Sequence, residues 1–389
     1  MTLRTRWCAY PWDFVDAPDA PARARDSGAD GIALAAAYHA VRAATPTHPR
    51  HRVVEASFSA FYLPVRPAIW RGQRLQPRRP GRWVDDQAFE QARDAARAAG
   101  LEVEAWIVLT HDDSPEERNL DYRARNAFGD AYPYALCPSN ADVREYCATL
   151  TSETVQLSGA SSLMIEACGP MGVEHVSAHE KTSGAGWTPV DAQLLSVCFC
   201  AACERALAAA GLDVGRLRGL VTSGVGRGAE HIEEVLGEAA TAVLDVRAGA
   251  RRQLATAVAD AARAQGAVSL AFHAQATRWS TGPFAALLDT FGLADCFVFP
   301  GEHIDASDLA QRSRGERIGA YISLLPPESI KDLVAQWEPT LRHVDDLYLY
   351  HLGLTSQSRA GAASLLIEAL RRTKTPRPSP SEASPTRLE

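Results

Sequence analysis

The feature that most restricts the fold of this chain is an alternation. Short apolar runs rich in β-branched and aromatic residues recur between longer stretches with helical apolar spacing. Eight runs stand at Trp7–Phe14, Gly31–Tyr38, Leu101–Leu109, Ser162–Ala167, Val268–Phe272, Cys296–Phe299, Ile318–Leu324 and Leu347–Tyr350. The later ones are each preceded by an alanine- or leucine-rich amphipathic segment, and Gly100 closes a helical stretch over Asp85–Ala99. Uninterrupted apolar runs are strands covered on both faces, which means parallel pairing through crossover helices. The pattern predicts an α/β protein, a closed (β/α)8 barrel of the TIM type over residues 1–372, rather than an open doubly wound sheet.

Two excursions interrupt the repeat. Thr45–Arg82 predicts a hairpin and an arginine-rich loop after the second strand. Residues 175–265, which begin with His175–Trp187 and end with the helical run Ala229–Ala264, predict a long helical insertion after the fourth. Loops at that end of a barrel build the active site, so the insertion shapes a substrate site or else covers a dimer interface, making the chain a homo-oligomer. Residues 373–389 carry four prolines among serines and charges, and predict a disordered tail.

The charge balance narrows the partners. Against 40 basic side chains stand 47 acidic ones, a net charge of −7, which gives no general attraction to nucleic acid or anionic lipid. A small neutral or cationic ligand fits better. With neither a bilayer-length apolar run nor the apolar core of a secretion signal, the expectation is a cytoplasmic protein without a membrane partner. In a reducing compartment, its eight cysteines read as buried thiols, metal ligands or reactive groups rather than disulfides.

Titratable groups gather where strands end. Asp13 and Asp16 follow the first run, His39 the second, His111, Asp112 and Asp113 the third, and Glu166 ends the fourth. His273, then Glu302 and His303, then Glu328 beyond two prolines, and finally Tyr350 and His351 follow the rest. Five of the 11 histidines lie near a strand's C-terminal end, the edge where barrels keep their active sites. Polar residues also simply mark where a strand leaves the core, but taken together these predict a polar pocket. Leu163-Met164-Ile165 sets Glu166 against a buried strand, where desolvation raises a carboxyl toward the range of a general acid. Glu302 and Glu328 are the candidates for a second carboxylate, since glycosidic cleavage uses two. The polar loop holding His179 and Glu180 is a candidate substrate contact, and Trp12, Tyr38, Tyr62, Trp187 and Tyr350 can stack on sugar faces.

Cys198, Cys200 and Cys203 form a Cys-x-Cys-x-x-Cys run with the spacing of zinc ligands. Cys137, just before a helix start, is the candidate fourth ligand of a structural zinc, with Cys168 a rival and metal-free buried thiols the alternative. Cys8, Cys147 and Cys296 read as core. Gly224-Val225-Gly226-Arg227-Gly228 does not follow a strand and reads as an inter-helix loop rather than a phosphate cradle.

The run Tyr134-Ala135-Leu136-Cys137-Pro138-Ser139-Asn140-Ala141-Asp142-Val143-Arg144-Glu145-Tyr146, followed by a helix and a strand ending in Glu166, resembles a segment of bacterial glycoside-hydrolase-like barrels that precedes the fourth strand. Cys137 with Cys198, Cys200 and Cys203 is similar to the cysteine set of family 42 β-galactosidases. That resemblance implies structural zinc on those four thiols and an acid/base role for Glu166. It covers roughly Tyr134–Cys203. Two departures stand out: Ile165 occupies the place of the asparagine before the acid/base glutamate, and the end of the seventh strand offers only Glu328 as a nucleophile.

The expected function is a carbohydrate-active enzyme, a glycoside hydrolase with Glu166 as acid/base and Glu302 or Glu328 as nucleophile or water-activating base. Asp13, Asp16, His39, His111, Asp112, His179, Glu180, His273, His303, Tyr350 and His351 are expected to contact the saccharide. The alternatives are a metal-dependent sugar isomerase or epimerase, with a cation on Glu166, His273 and Glu302, and a barrel that binds a saccharide without turnover.

Overall fold

The computed structural model describes residues 2–81, 84–113, 121–174, 181–275, 277–287, 292–304, 315–325 and 332–374. Eight parallel strands form a ring: β1 (Arg4–Ala9), β2 (Gly31–Tyr38), β3 (Glu102–Val108), β4 (Ser162–Glu166), β5 (Ser269–Gln275), β6 (Cys296–Pro300), β7 (Arg317–Ser323) and β8 (Asp346–Tyr350). Each pairs with the next, and β8 pairs with β1 through Arg4↔Asp346 to Trp7↔Leu349, so no barrel edge is left open. The apolar runs are buried along nearly their whole length, the condition that made them continuous in sequence.

Helices α1 (Ala20–Asp26), α2 (Ala88–Ala98) and α3 (Ala141–Ser158) follow the first three strands. Asn140 caps α3 by accepting the Asp142 N–H, and Gly159 closes it at φ 63°. After β4 come four short helices, α4 (Pro189–Leu195), α5 (Ala201–Ala209), α6 (Val214–Gly224) and α7 (Ile232–Leu236), with an apolar cluster of their own around Phe199, Val221 and Leu236. The next helix, α8 (Ala239–Arg263), packs along α3. α9 (Leu333–Leu341) and α10 (Gln357–Thr373) complete the outer layer. Among the described residues no α-helix joins β5 to β6 or β6 to β7. No described helix is long and apolar enough to cross a membrane.

Three boundaries differ from expectation. β1 covers Arg4–Ala9, not Trp7–Phe14, because Pro11 lacks an N–H for the ladder and opens a tight turn over Pro11–Asp13. The run Ala229–Ala264 is two helices, broken where Gly237 takes φ 54°. Its longer part, α8, occupies the position of the barrel's own crossover helix after β4, so the added element is shorter than the whole span 175–265. The excursion after β2 is a hairpin, Val41–Ala44 with Val53–Ala56, followed by Ala60–Phe61, which pairs antiparallel with β2.

Strand alternation sorts the interior into layers. At the N-terminal end, Arg6 meets Asp346 at 3.0 Å and Glu104 at 3.8 Å. Burial alone would lower the Arg6 guanidinium, but Glu104, Tyr348 and Asp346 more than reverse this and hold it charged. Two positions further along the strands come Cys8, Trp106 and Met164, all fully buried. One more step reaches Tyr10, Tyr38, Glu166, His273, Tyr321 and Tyr350, at the C-terminal mouth.

Candidate active site

Glu166 is the last residue of β4, in register with Val108, and Trp106 lies on the same face of β3. The Trp106 indole N–H donates to Glu166 Oε2 at 3.0 Å. Burial pushes the Glu166 carboxyl up to about 8, and the indole hydrogen bond, which favours the charged form, offsets part of that rise. At neutral pH the group therefore holds a proton. His273 Nδ1 is 3.9 Å from the same oxygen, beyond hydrogen-bond length. Burial lowers that imidazole to about 3, so it is neutral beside a neutral acid. Its ring stacks on Phe284 at 4.5 Å and meets the edge of Tyr321 at 5.4 Å.

Aromatic side chains build the rest of the mouth. The Tyr350 hydroxyl lies 3.0 Å from that of Tyr10 and 3.3 Å from that of Tyr38. Burial holds all three phenols above their ordinary range, so they remain hydroxyls that donate and accept. Tyr10 stacks on Trp12 at 4.4 Å, with the His351 ring at 4.1 Å. Asp13 is buried at the base of this group, accepts the Tyr10 N–H at 2.8 Å and lies 3.6 Å from His351 Nδ1. Burial raises the Asp13 carboxyl to about 7, and burial also lowers His351.

At the ends of β2 and β3, His39 stacks on Tyr38 at 4.2 Å and on His111 at 4.0 Å. His111 Nε2 is 3.2 Å from Asp113 Oδ2. Asp112, between them, turns into the protein, where Arg123 grips its side chain at 2.8 Å and its carbonyl at 2.7 Å. It anchors the loop.

The remaining predicted residues disperse. Asp16 is exposed and pairs with Arg50. Glu302 and His303 are exposed on the turn Gly301–His303 that follows β6. His179, Glu180 and Glu328 lie outside the described residues. Trp187 is exposed on the insertion, 43% accessible, while Trp12 and Tyr62 meet edge-on at 5.4 Å near the mouth. Glu166, His273 and Glu302 are not among the described groups of three ligands close enough to share a cation. Sequence reasoning missed Tyr10, Trp106 and Tyr321. Their places follow from pairing between strands far apart in sequence, which leaves no local signal.

Away from the mouth, Cys137, Cys198, Cys200 and Cys203 bring their sulfurs within 4.8 Å of one another. Cys137 Sγ lies 3.9, 3.5 and 3.4 Å from the other three. A tetrahedral zinc with bonds of about 2.3 Å spaces its sulfurs by about 3.8 Å. The N–H groups of Arg125 and Cys200 each donate to Cys198 Sγ at 3.4 Å, as a thiolate requires. Half-buried Arg247, on which these thiols act electrostatically, supplies a compensating positive charge. The donor set fits zinc, and Cys168 is not part of it.

No protein-family model matches this chain, and no curated protein is similar to it in sequence. Solved structures are similar to it in fold. An α-L-fucosidase from Paenibacillus thiaminolyticus superposes over 95% of the chain and 49% of its own, with TM-score 0.56 and 11% identity. The β-amylase catalytic domain of Paenibacillus polymyxa covers 99% of both chains, with TM-score 0.55 and 12% identity. A β-galactosidase from Marinomonas ef1 covers 94% and 59%, with TM-score 0.53 and 9% identity. The shared property is the barrel fold. This chain spans about half the length of the fucosidase and about three-fifths of the galactosidase.

Proposed function

We propose that this protein is a glycoside hydrolase in which Glu166 is the general acid. The observation that carries the reading is the buried carboxyl at the end of β4, pushed up to about 8 and touched by Trp106, within an aromatic mouth. A leaving alkoxide needs a proton at the moment the bond breaks, and an acid still protonated at neutral pH supplies it. Tyr10, Tyr38 and Tyr350 offer hydroxyls for sugar oxygens, and the faces of Trp12, Tyr38 and Tyr321 offer apolar contact for the sugar ring. The architecture is that of a fucosidase, an amylase domain and a galactosidase, which supports saccharides as the substrate class.

The second carboxylate would be Glu302, on the rim after β6, or Glu328; Glu302 is exposed and open to water, as a water-activating base must be. The four cysteines would hold a structural zinc with no open coordination position, tying the segment before α3 to the start of α5. The resemblance of this set to family 42 β-galactosidases supports the same reading. Zinc there would stabilise and take no part in the reaction.

The test is Glu166→Gln, with the fold checked by circular dichroism, on a panel of aryl glycosides cleaved by the parent. Loss of at least 100-fold in kcat on substrates with poor leaving groups is expected. Unchanged turnover removes the proposed role.

A further inference from the structure

The pair of histidines and the aspartate at the ends of β2 and β3 has no part in the acid mechanism. One nitrogen of His39, one of His111 and one oxygen of Asp113 lie within 4.8 Å of one another. Two imidazoles and a carboxylate form a donor set for a divalent 3d cation, and bonds of about 2.0–2.2 Å would draw the three donors to about 3.4 Å.

Three features of the surroundings support a binding role. His39 Nδ1 is 2.8 Å from the Ala40 carbonyl oxygen, which can only accept, so Nδ1 carries the proton and the lone pair is on Nε2. A backbone carbonyl fixing the tautomer of a histidine is the usual outer-shell arrangement around a metal ligand. Asp113 is oriented in turn: its carboxylate accepts the Ala40 N–H at 3.0 Å, and its own N–H donates to Ser59 Oγ at 2.8 Å. Finally, the buried Asp112–Arg123 pair clamps the peptide between His111 and Asp113, and a backbone bridge joins His111 to Ala135. The loop that presents two of the three donors is therefore fixed before any ion arrives.

We infer that His39, His111 and Asp113 form a binding site for a divalent 3d cation of the zinc type at the rim of the barrel, separate from the four-cysteine cluster. Three protein donors leave further positions for oxygen ligands, water or a hydroxyl of a bound molecule. Because the probe is the cation alone, the site stands or falls independently of glycosidase activity.

Cobalt(II) titration of the full chain tests it. Cobalt on the cysteines gives a thiolate-to-metal charge-transfer band, whereas cobalt on imidazole and carboxylate gives ligand-field bands without one. Both signals are expected from the parent, with only the second lost, or at least ten-fold weaker in affinity, in His39→Gln and Asp113→Asn. Cys203→Ser should weaken the first and keep the second. His39 is half-buried, so His39→Gln keeps the test decisive even where a His111 variant fails to fold. A parent that shows the thiolate band alone, or a folded His39→Gln that retains the imidazole-type signal undiminished, overturns the proposal.

Discussion

The indole N–H of Trp106 and the carboxyl of Glu166 meet at 3.0 Å across two adjacent strands of the barrel, and this contact restrains the rise that burial gives the proposed acid. A hydrogen bond donated to a carboxylate favours its charged form, so Trp106 opposes the larger effect of burial. Trp106→Phe keeps an aromatic ring and removes the donor. The Glu166 carboxyl should then titrate above its present value of about 8, and the alkaline limb of kcat/KM should move to higher pH. A pH–rate profile of parent and variant checks the direction.

Glu166 also has a stability consequence. Its folded-state value of about 8 lies above the ordinary 4.5, so between those values the native state binds more protons than the unfolded chain. Stability from this group is intact below about pH 4.5 and declines as pH rises toward 8. Glu166→Gln cannot ionise and should be more stable than the parent at pH 9 by a few kcal/mol, since each tenfold change in proton affinity corresponds to about 1.4 kcal/mol, with the difference shrinking toward pH 5. Urea denaturation at the two pH values measures it.

The anchor beneath the His111 loop should be costly to break. Arg123 and Asp112 are both buried and joined at 2.8 Å. Arg123→Met leaves a buried carboxylate without its partner, a loss of about 3–5 kcal/mol. Chemical denaturation should show the midpoint falling by the corresponding amount.

Much of this was legible in the sequence for one reason: parallel strands buried on both faces produce unbroken apolar runs, and seven of the eight were located within a few residues. The exception, β1, failed because Tyr10, Trp12 and Phe14 continue the apolar pattern past Pro11 although they pack as a mouth rather than as a strand. Glu166 stood out because a charge directly follows Leu163-Met164-Ile165. Trp106 did not, since its role depends on the pairing of Val108 with Glu166, and a register between strands far apart in sequence leaves no local mark. For the same reason His111, Asp112 and Asp113 read as one polar cluster, whereas the fold turns the middle residue inward to Arg123 and the outer two toward His39.

The cysteine cluster predicts a structural dependence. If the four thiols hold zinc, Cys203→Ser should bind about one equivalent less of the metal and melt at a lower temperature, while its aryl-glycosidase kcat below the melting range stays near the parent's. Metal analysis by mass spectrometry with a thermal scan decides it.

A close approach gives a steric test. A Cβ on Gly353 would lie 1.9 Å from Asp13 Oδ1, in the wall beneath Tyr10 and His351. Gly353→Ala must displace the buried Asp13 carboxyl and should lower stability by more than about 2 kcal/mol. Soluble expression and the urea midpoint report the loss.

Isotope-edited infrared spectroscopy at pH 7 addresses the protonation of Glu166 without needing a substrate. The difference spectrum between the parent and Glu166→Gln should contain the carbonyl band of a neutral carboxylic acid, fading as pH passes about 8. A difference spectrum that shows an ionised carboxylate at pH 7 would contradict the account.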